Sequence, residues 1–190
     1  MSDAVPQAIV IGASAGAVQA LSEILPRLPA DYPLPVLIVV NVPDAPSGLV
    51  SLFASKSAVA IREPEDKEPI LPATVYLAPP GYHLLVEADR SIALSADQPV
   101  LFSRPSIDVL FESAADAFGA GLTAIIMTGA NDDGARGAAA AHRAGGTVLV
   151  EDPASAYAAA MPTAALARCP VARALSLDGI VDHLLSLGTS

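Results

Sequence analysis

The stretch that decides the fold is "AIVIGASAG", residues 8–16. Ala8-Ile9-Val10-Ile11 is an unbroken apolar run without alternation, which fits a strand buried on both faces of a parallel sheet. It ends in Gly12-Ala13-Ser14-Ala15-Gly16. This G-x-S-x-G spacing marks a sharp strand-to-helix turn that can present a serine hydroxyl. Ser14 admits two readings. It is a nucleophile, with the backbone N–H of Ala15 aimed at an oxyanion, or it is the N-cap of the following helix in a structural turn. A dinucleotide fingerprint is the weaker reading, because G-x-G-x-x-G is not formed and no acid ends the second strand. A nucleophile needs a base to take its proton, so the rest of the chain is read for one.

Moving outward, similar short runs recur. Strands are predicted over 8–13, 35–41, 58–62, 74–78, 122–127 and 146–150, and helices over 16–25, 47–56, 106–118, 134–144, 155–168 and 177–187. This alternation predicts an α/β fold: a doubly wound, mostly parallel sheet with helices on both faces. Residues 83–97, "HLLVEADRSIALSAD", leave no room for a crossover helix and read as one β-hairpin. The helix over 106–118 has the clearest period, with Ile107, Leu110, Phe111, Ala114, Ala115 and Phe118 on one stripe. Ser106 stands at its N-cap position and Asp108 in its first turn, where a carboxylate suits the helix dipole. The charged, Pro-bounded run "EPEDKEP", 63–69, reads as a solvated loop. No repeat, linker or internal domain boundary is evident, and 1–190 reads as a single domain.

Bulk properties exclude several classes. Of the 190 residues 53% are apolar and 16% charged, so the chain can bury a sizeable core. A formal net charge of −10 argues against a nucleic-acid partner. The single cysteine, Cys169, fits a reducing compartment. The N-terminus carries no basic n-region, and apolar runs such as "VLIVV" fall far short of a membrane span. A cytoplasmic domain, not inserted in a membrane, is expected.

In open α/β sheets ligands gather beyond the carboxyl ends of the strands. Four places qualify: Ser14, Asn41 after the second strand, His83 after "YLAPPGY", and Asp132-Asp133 in "TGANDDGARG". Asp133 can orient an imidazole, or it can be an ordinary Asp-Gly cap. Asp132 beside it is not enough for a metal pair, since no His or Cys spacing supports one, and no metal or cofactor is expected. Among the three histidines, His142 lies roughly 13 Å down a helix from Asp133, and His183 sits off the Ile180–Leu184 stripe. Both are expected at the surface. His83 alone is well placed, as an alternative base or as a hydrogen-bonded histidine that opens the hairpin.

These residues resemble a known family over nearly the whole chain. "IGASAG" (11–16), "YLAPPGYHLLVE" (76–87), "FSRPSIDVLFESAA" (102–115), "TGANDDGARG" (128–137) and "EDPASAYAAAMPTAA" (151–165) are similar, in order, to the catalytic domain of the chemotaxis protein-glutamate methylesterases, the CheB family. The resemblance implies a Ser–His–Asp triad and hydrolysis of γ-glutamyl methyl esters on chemoreceptor helices, often with deamidation of glutamines. Ser14 would attack the ester carbonyl, release methanol, and leave a γ-glutamyl ester for water to hydrolyse. By the resemblance Ser14 matches the nucleophile and Asp133 the acid, with backbone N–H groups near Ala15 and Ala130 facing the oxyanion.

The family histidine follows the second strand, and this chain has Val40-Asn41-Val42-Pro43 there. A carboxamide can hydrogen-bond as one imidazole tautomer does, but it has no useful basicity near pH 7. By analogy with serine hydrolases, loss of the base lowers turnover on the order of 10^6-fold and leaves roughly 10^3–10^4-fold over water. The classical receiver domain has no counterpart within these residues. Three readings follow. One is an esterase with Asn41 at the base position, or with His83 in its stead. The second is a catalytically silent module that binds receptor helices or another signalling partner. The third is a fold in which Ser14 and Asp133 serve structure alone.

Overall fold

The computed structural model describes residues 7–41 and 48–189, so Val42 and Pro43 after Asn41, and position 47 at the predicted start of the second helix, lie outside the described residues. Nine strands are described: β1 (Ala8–Ala13), β2 (Val36–Val40), β3 (Ala60–Arg62), β4 (Thr74–Leu77), β5 (His83–Val86), β6 (Ile92–Ser95), β7 (Leu122–Ile126), β8 (Thr147–Glu151) and β9 (Arg173–Leu175). Six α-helices accompany them: α1 (Ala17–Ile24), α2 (Leu49–Ala54), α3 (Ile107–Phe118), α4 (Ala135–Arg143), α5 (Ala160–Arg168) and α6 (Leu177–Leu187).

Seven strands form one sheet in the order β3-β4-β2-β1-β7-β8-β9, and every pairing in it is parallel. Strand β1 lies at the centre and is buried at every position. Its side chains divide the core by the two-residue period of a strand. Ile9, Ile11 and Ala13 pack with α1, α2 and α6 on one face. Ala8 and Val10 pack with α3, α4 and α5 on the other. Gly12 falls on the α3 face, where an added Cβ would collide with Ile107, so the close approach of α3 to β1 requires a glycine.

The predicted hairpin forms, β5 pairing antiparallel with β6 in register from His83–Ser95 to Val86–Ile92. It is a separate two-stranded sheet that seats Leu84, Val86 and Ile92 against Leu110 and Phe111. The neighbouring run 63–69 is more than a solvated loop. Asp66 accepts the Leu94 N–H at 2.9 Å, and the backbones of Lys67 and Glu68 exchange hydrogen bonds with Ile92. Glu68 also pairs with Arg62.

Two further departures from the sequence reading have physical causes. The last edge strand, β9, has three residues, too few for a period to show. The helix predicted over 155–168 begins only at Ala160. Ala158 is held outside it because its N–H goes to Thr128 Oγ1 at 2.8 Å and its carbonyl takes the Gly129 N–H at 3.0 Å.

Candidate active site

The order of the sheet places its switch point between β1 and β7, whose following connections leave toward opposite faces. Ser14 follows β1, Asn41 follows β2, and residues 128–134 follow β7. The three segments are tied together directly. Ser14 N–H donates to the Thr128 carbonyl at 2.9 Å, and Asn41 N–H to the Ala13 carbonyl at 3.0 Å. Thr128 is a hub: its Oγ1 donates to the Ala15 carbonyl at 2.8 Å, and its N–H donates to Glu151 Oε2 at 2.7 Å. Burial pushes the Glu151 carboxyl above the usual carboxylate range, opposed by that Thr128 hydrogen bond.

Ser14 does not cap α1. That position belongs to Gly16, in the left-handed conformation (φ 84°). The serine side chain is buried, and its Oγ accepts the backbone N–H of Ala130 at 3.1 Å. Gly129 makes this approach feasible, since a Cβ there would lie 2.6 Å from Ser14 Oγ and 2.6 Å from the Met161 sulfur. Its backbone is clamped by Ala158 and by Met161, whose N–H reaches the Gly129 carbonyl at 2.9 Å.

Asp133 is buried and accepts four hydrogen bonds. Oδ2 takes Asn41 Nδ2 at 2.6 Å and the Ile107 N–H at 2.7 Å, while Oδ1 takes Ser106 Oγ and the Asp108 N–H, each at 3.0 Å. It is therefore the side-chain cap of α3, not of its own helix. Ser106 holds the N-cap position but directs its hydroxyl to Asp133, so the local cap expected at Ser106 is supplied from across the fold. Asp108 returns the arrangement: its Oδ1 accepts the N–H groups of Gly134 and Gly137 at the start of α4, at 3.0 and 2.7 Å. Desolvation, aided by the nearby Asp133 charge, raises the Asp108 carboxyl to about 6 against the pull of the Gly137 hydrogen bond.

His83 is not placed to serve as a base. Its Nδ1 accepts the Ser106 N–H at 3.1 Å, which leaves the proton on Nε2, 3.0 Å from the Gln98 carbonyl. Both ring nitrogens of this buried side chain are thus occupied by backbone. His142 is exposed on α4. His183, expected at the surface, is half-buried on α6, and desolvation lowers its pKa. Asp132 is exposed. Among the described residues no group of three or more His, Cys, Asp or Glu side chains could hold a metal, and no helix is long and apolar enough to cross a membrane.

A cleft of about 290 Å³ opens beside Asn41, lined also by Leu101, Phe102, Arg104, Pro105 and Asn131. Its rim is a tight turn in which Val100 and Ser103 exchange backbone hydrogen bonds at 2.9 and 2.8 Å. Leu101 (φ 49°) and Phe102 (φ 64°) are both left-handed, a conformation that costs bulky residues energy and recurs at ligand clamps. Arg104 braces the rim by donating to the carbonyls of Ala96 and Asp97 at 3.1 and 3.2 Å.

Residues 9–184 match the model of the CheB methylesterase family. The chain belongs to that family. A Leptospira interrogans relative is 42% identical over 182 residues, which are 95% of this chain and 94% of that protein. A Symbiobacterium thermophilum protein named protein-glutamate methylesterase/protein-glutamine glutaminase is 37% identical over 96% of this chain, which spans 51% of its length. The crystal structure of the Thermotoga maritima CheB methylesterase catalytic domain superposes with a TM-score of 0.90 at 30% identity, covering 96% of this chain and 98% of that one.

Within this CheB fold the structure brings Ser14, Ala130, Asn41 and Asp133 to one sheet edge, while His83 engages the backbones of Ser106 and Gln98 with its two ring nitrogens. Sequence reasoning missed Thr128, Gly129 and Met161 as the residues that shape the serine's surroundings. It also read Ser106 and Asp108 only as local helix signals. The spacing S-x-D before a periodic helix was visible, but nothing in it reveals a partner 25 to 27 residues away.

Proposed function

We propose that this chain is a CheB-type domain that binds γ-glutamyl side chains on helices of a chemoreceptor or a related signalling protein, and that it hydrolyses their methyl esters poorly or not at all. The observation that carries the reading is the contact of Asn41 Nδ2 with Asp133 at 2.6 Å. By resemblance Asn41 stands where the family has its histidine, and there it offers a hydrogen-bond donor to the acid but no basic nitrogen to Ser14. Both nitrogens of His83, the one histidine that the sequence reading offers as an alternative base, are occupied by backbone. The Ala130 N–H on Ser14 Oγ supports a serine that still has a backbone donor beside it to offer a glutamyl carbonyl. In this reading no metal or cofactor takes part, the residues act as one catalytic-type domain, and the partner is met in the cytoplasm. The acidic surface favours partners with basic or neutral faces.

Methanol release from a methylated receptor fragment tests the reading. The expected result is turnover equal to that of Ser14→Ala, with substantial turnover in Asn41→His. Release that disappears in Ser14→Ala would instead establish a working esterase with an unconventional base.

A further inference from the structure

Glu151 ends β8 on the α1 and α6 face of the sheet, two residues beyond Leu149 of that core. It is 2% exposed, yet it lines a pocket of about 250 Å³ between the serine turn, α1 and the start of α6. Its Oε2 takes the Thr128 N–H at 2.7 Å, and its Oε1 receives no hydrogen bond among the described residues. A carboxylate removed from water needs donors or a counter-charge. Among the described residues no Lys, Arg or His lines this pocket. Desolvation raises the Glu151 carboxyl, and the like charge of Glu23 on α1, another lining residue, adds to the rise. Gln19 lies one turn before Glu23 on the same side of α1 and lines the pocket as well. Tyr157, 79% exposed, supplies an aromatic wall that packs directly on Gly16. The pocket lacks a cation that carries hydrogen-bond donors.

We propose that this pocket is a second binding site, a seat for the guanidinium of an arginine side chain on a polypeptide partner. The site goes beyond the glutamyl-binding reading and is tested separately from it. A guanidinium has five N–H donors in a planar fork, enough to reach Glu151 Oε1 together with Glu23 or the Gln19 carbonyl. It is weakly hydrated, so it gives up water for a desolvated carboxylate at less cost than an ammonium does, and it stacks on tyrosine rings. A metal ion is the poorer match, since two carboxylates fall short of the cluster of three that a metal would need here. The net charge of −10 favours a basic partner. Thr128 joins the pocket to the serine turn, because its carbonyl accepts the Ser14 N–H at 2.9 Å. An arginine seated on Glu151 therefore holds its polypeptide beside Ser14.

The test is a set of NMR titrations of the ¹⁵N-labelled protein, read at the backbone signals of Gly16 and Thr128. The probes are N-acetylarginine methylamide, the matching lysine and citrulline compounds, and free L-arginine. The expected result is that the blocked arginine binds roughly tenfold or more tightly than its neutral citrulline isostere, the worth of a charge-assisted hydrogen bond. Glu151→Gln, with thermal melting confirming the fold, lowers arginine binding by a similar factor. Glu23→Gln, an exposed change on α1, lowers it about threefold and decides the matter if Glu151→Gln does not fold. Arginine binding unchanged in the folded variants, or no shift with arginine up to its solubility, overturns the site. Citrulline binding as tightly as arginine overturns the need for a cation, and lysine binding as tightly overturns the choice of guanidinium. Free L-arginine binding more tightly than the blocked probe overturns the polypeptide source. Each of these failures leaves the glutamyl-binding reading standing, because that reading is tested by methanol release.

Discussion

Two sides of one sheet edge are kept to different standards. On the serine side, Ser14 Oγ receives the Ala130 N–H at 3.1 Å, and Gly129 leaves the room this needs. On the acid side, Asp133 is as well supplied with donors as a carboxylate can be, yet none of the four is an imidazole. Three of the four come from the start of α3, so the acid has a structural role that does not depend on the base. The difference teaches why asparagine is tolerated at position 41. It preserves the fourth donor to Asp133, so proton transfer is lost while the packing of α3 against β1 and the β7–α4 loop stays intact.

The comparison can be broken first at Asn41. The Asn41→His variant is expected to gain up to roughly 10^6-fold in methanol release, the loss expected when a serine hydrolase is deprived of its base. A gain under tenfold would show that the serine side is impaired as well.

Removing the acid tests its structural role. Asp133→Ala leaves buried donors at Ser106, Ile107, Asp108 and Asn41 unpaired, and roughly 3–5 kcal/mol of stability should be lost, read from the urea midpoint. A loss below about 1 kcal/mol would mean that water replaces the carboxylate as the cap of α3.

His83 sharpens the contrast from the other side. His83→Ala should cost about 2–3 kcal/mol through the unpaired Ser106 N–H and the cavity left behind. In an Asn41→His background it should leave turnover unchanged once folding is accounted for. A parallel collapse of turnover would give this histidine a catalytic part.

The smallest effect lies at Asp108, the partner cap. Its carboxyl is raised in the folded protein to about 6, so the folded state holds the proton more tightly than the unfolded chain. Stability contributed by protonated Asp108 is therefore full below about pH 4 and falls as pH rises toward about 6. Asp108→Asn keeps an acceptor for Gly134 and Gly137 without the charge. Chemical denaturation across this range should show a flatter pH dependence for the variant, and at pH 7 a gain of about 1 kcal/mol.

Much of this was legible in the chain because it is periodic or local. The unbroken run at 8–11, the stripe from Ile107 to Phe118 and the turn chemistry around "ADRS" each carry their own structure, and the described elements follow them within a few residues. What failed had no local signature. The helix expected from 155 starts five residues late because Thr128 and Gly129 compete for the backbone of Ala158. Glu68 and Asp66, charged and flanked by prolines, look solvated until the β5–β6 hairpin lies beside them.

The same division runs through the site. By itself the sequence determined the α/β alternation, the family, the serine on its turn and the asparagine at the end of the second strand, because each is written in a contiguous motif. Only the tertiary structure decided that Asp133 caps a helix which begins 26 residues before it, that Asp108 returns the cap to α4, and that His83 is bound at both nitrogens. A hydrogen bond is settled by distance and direction between chain segments, and those exist only once the parallel sheet has brought its carboxyl ends together.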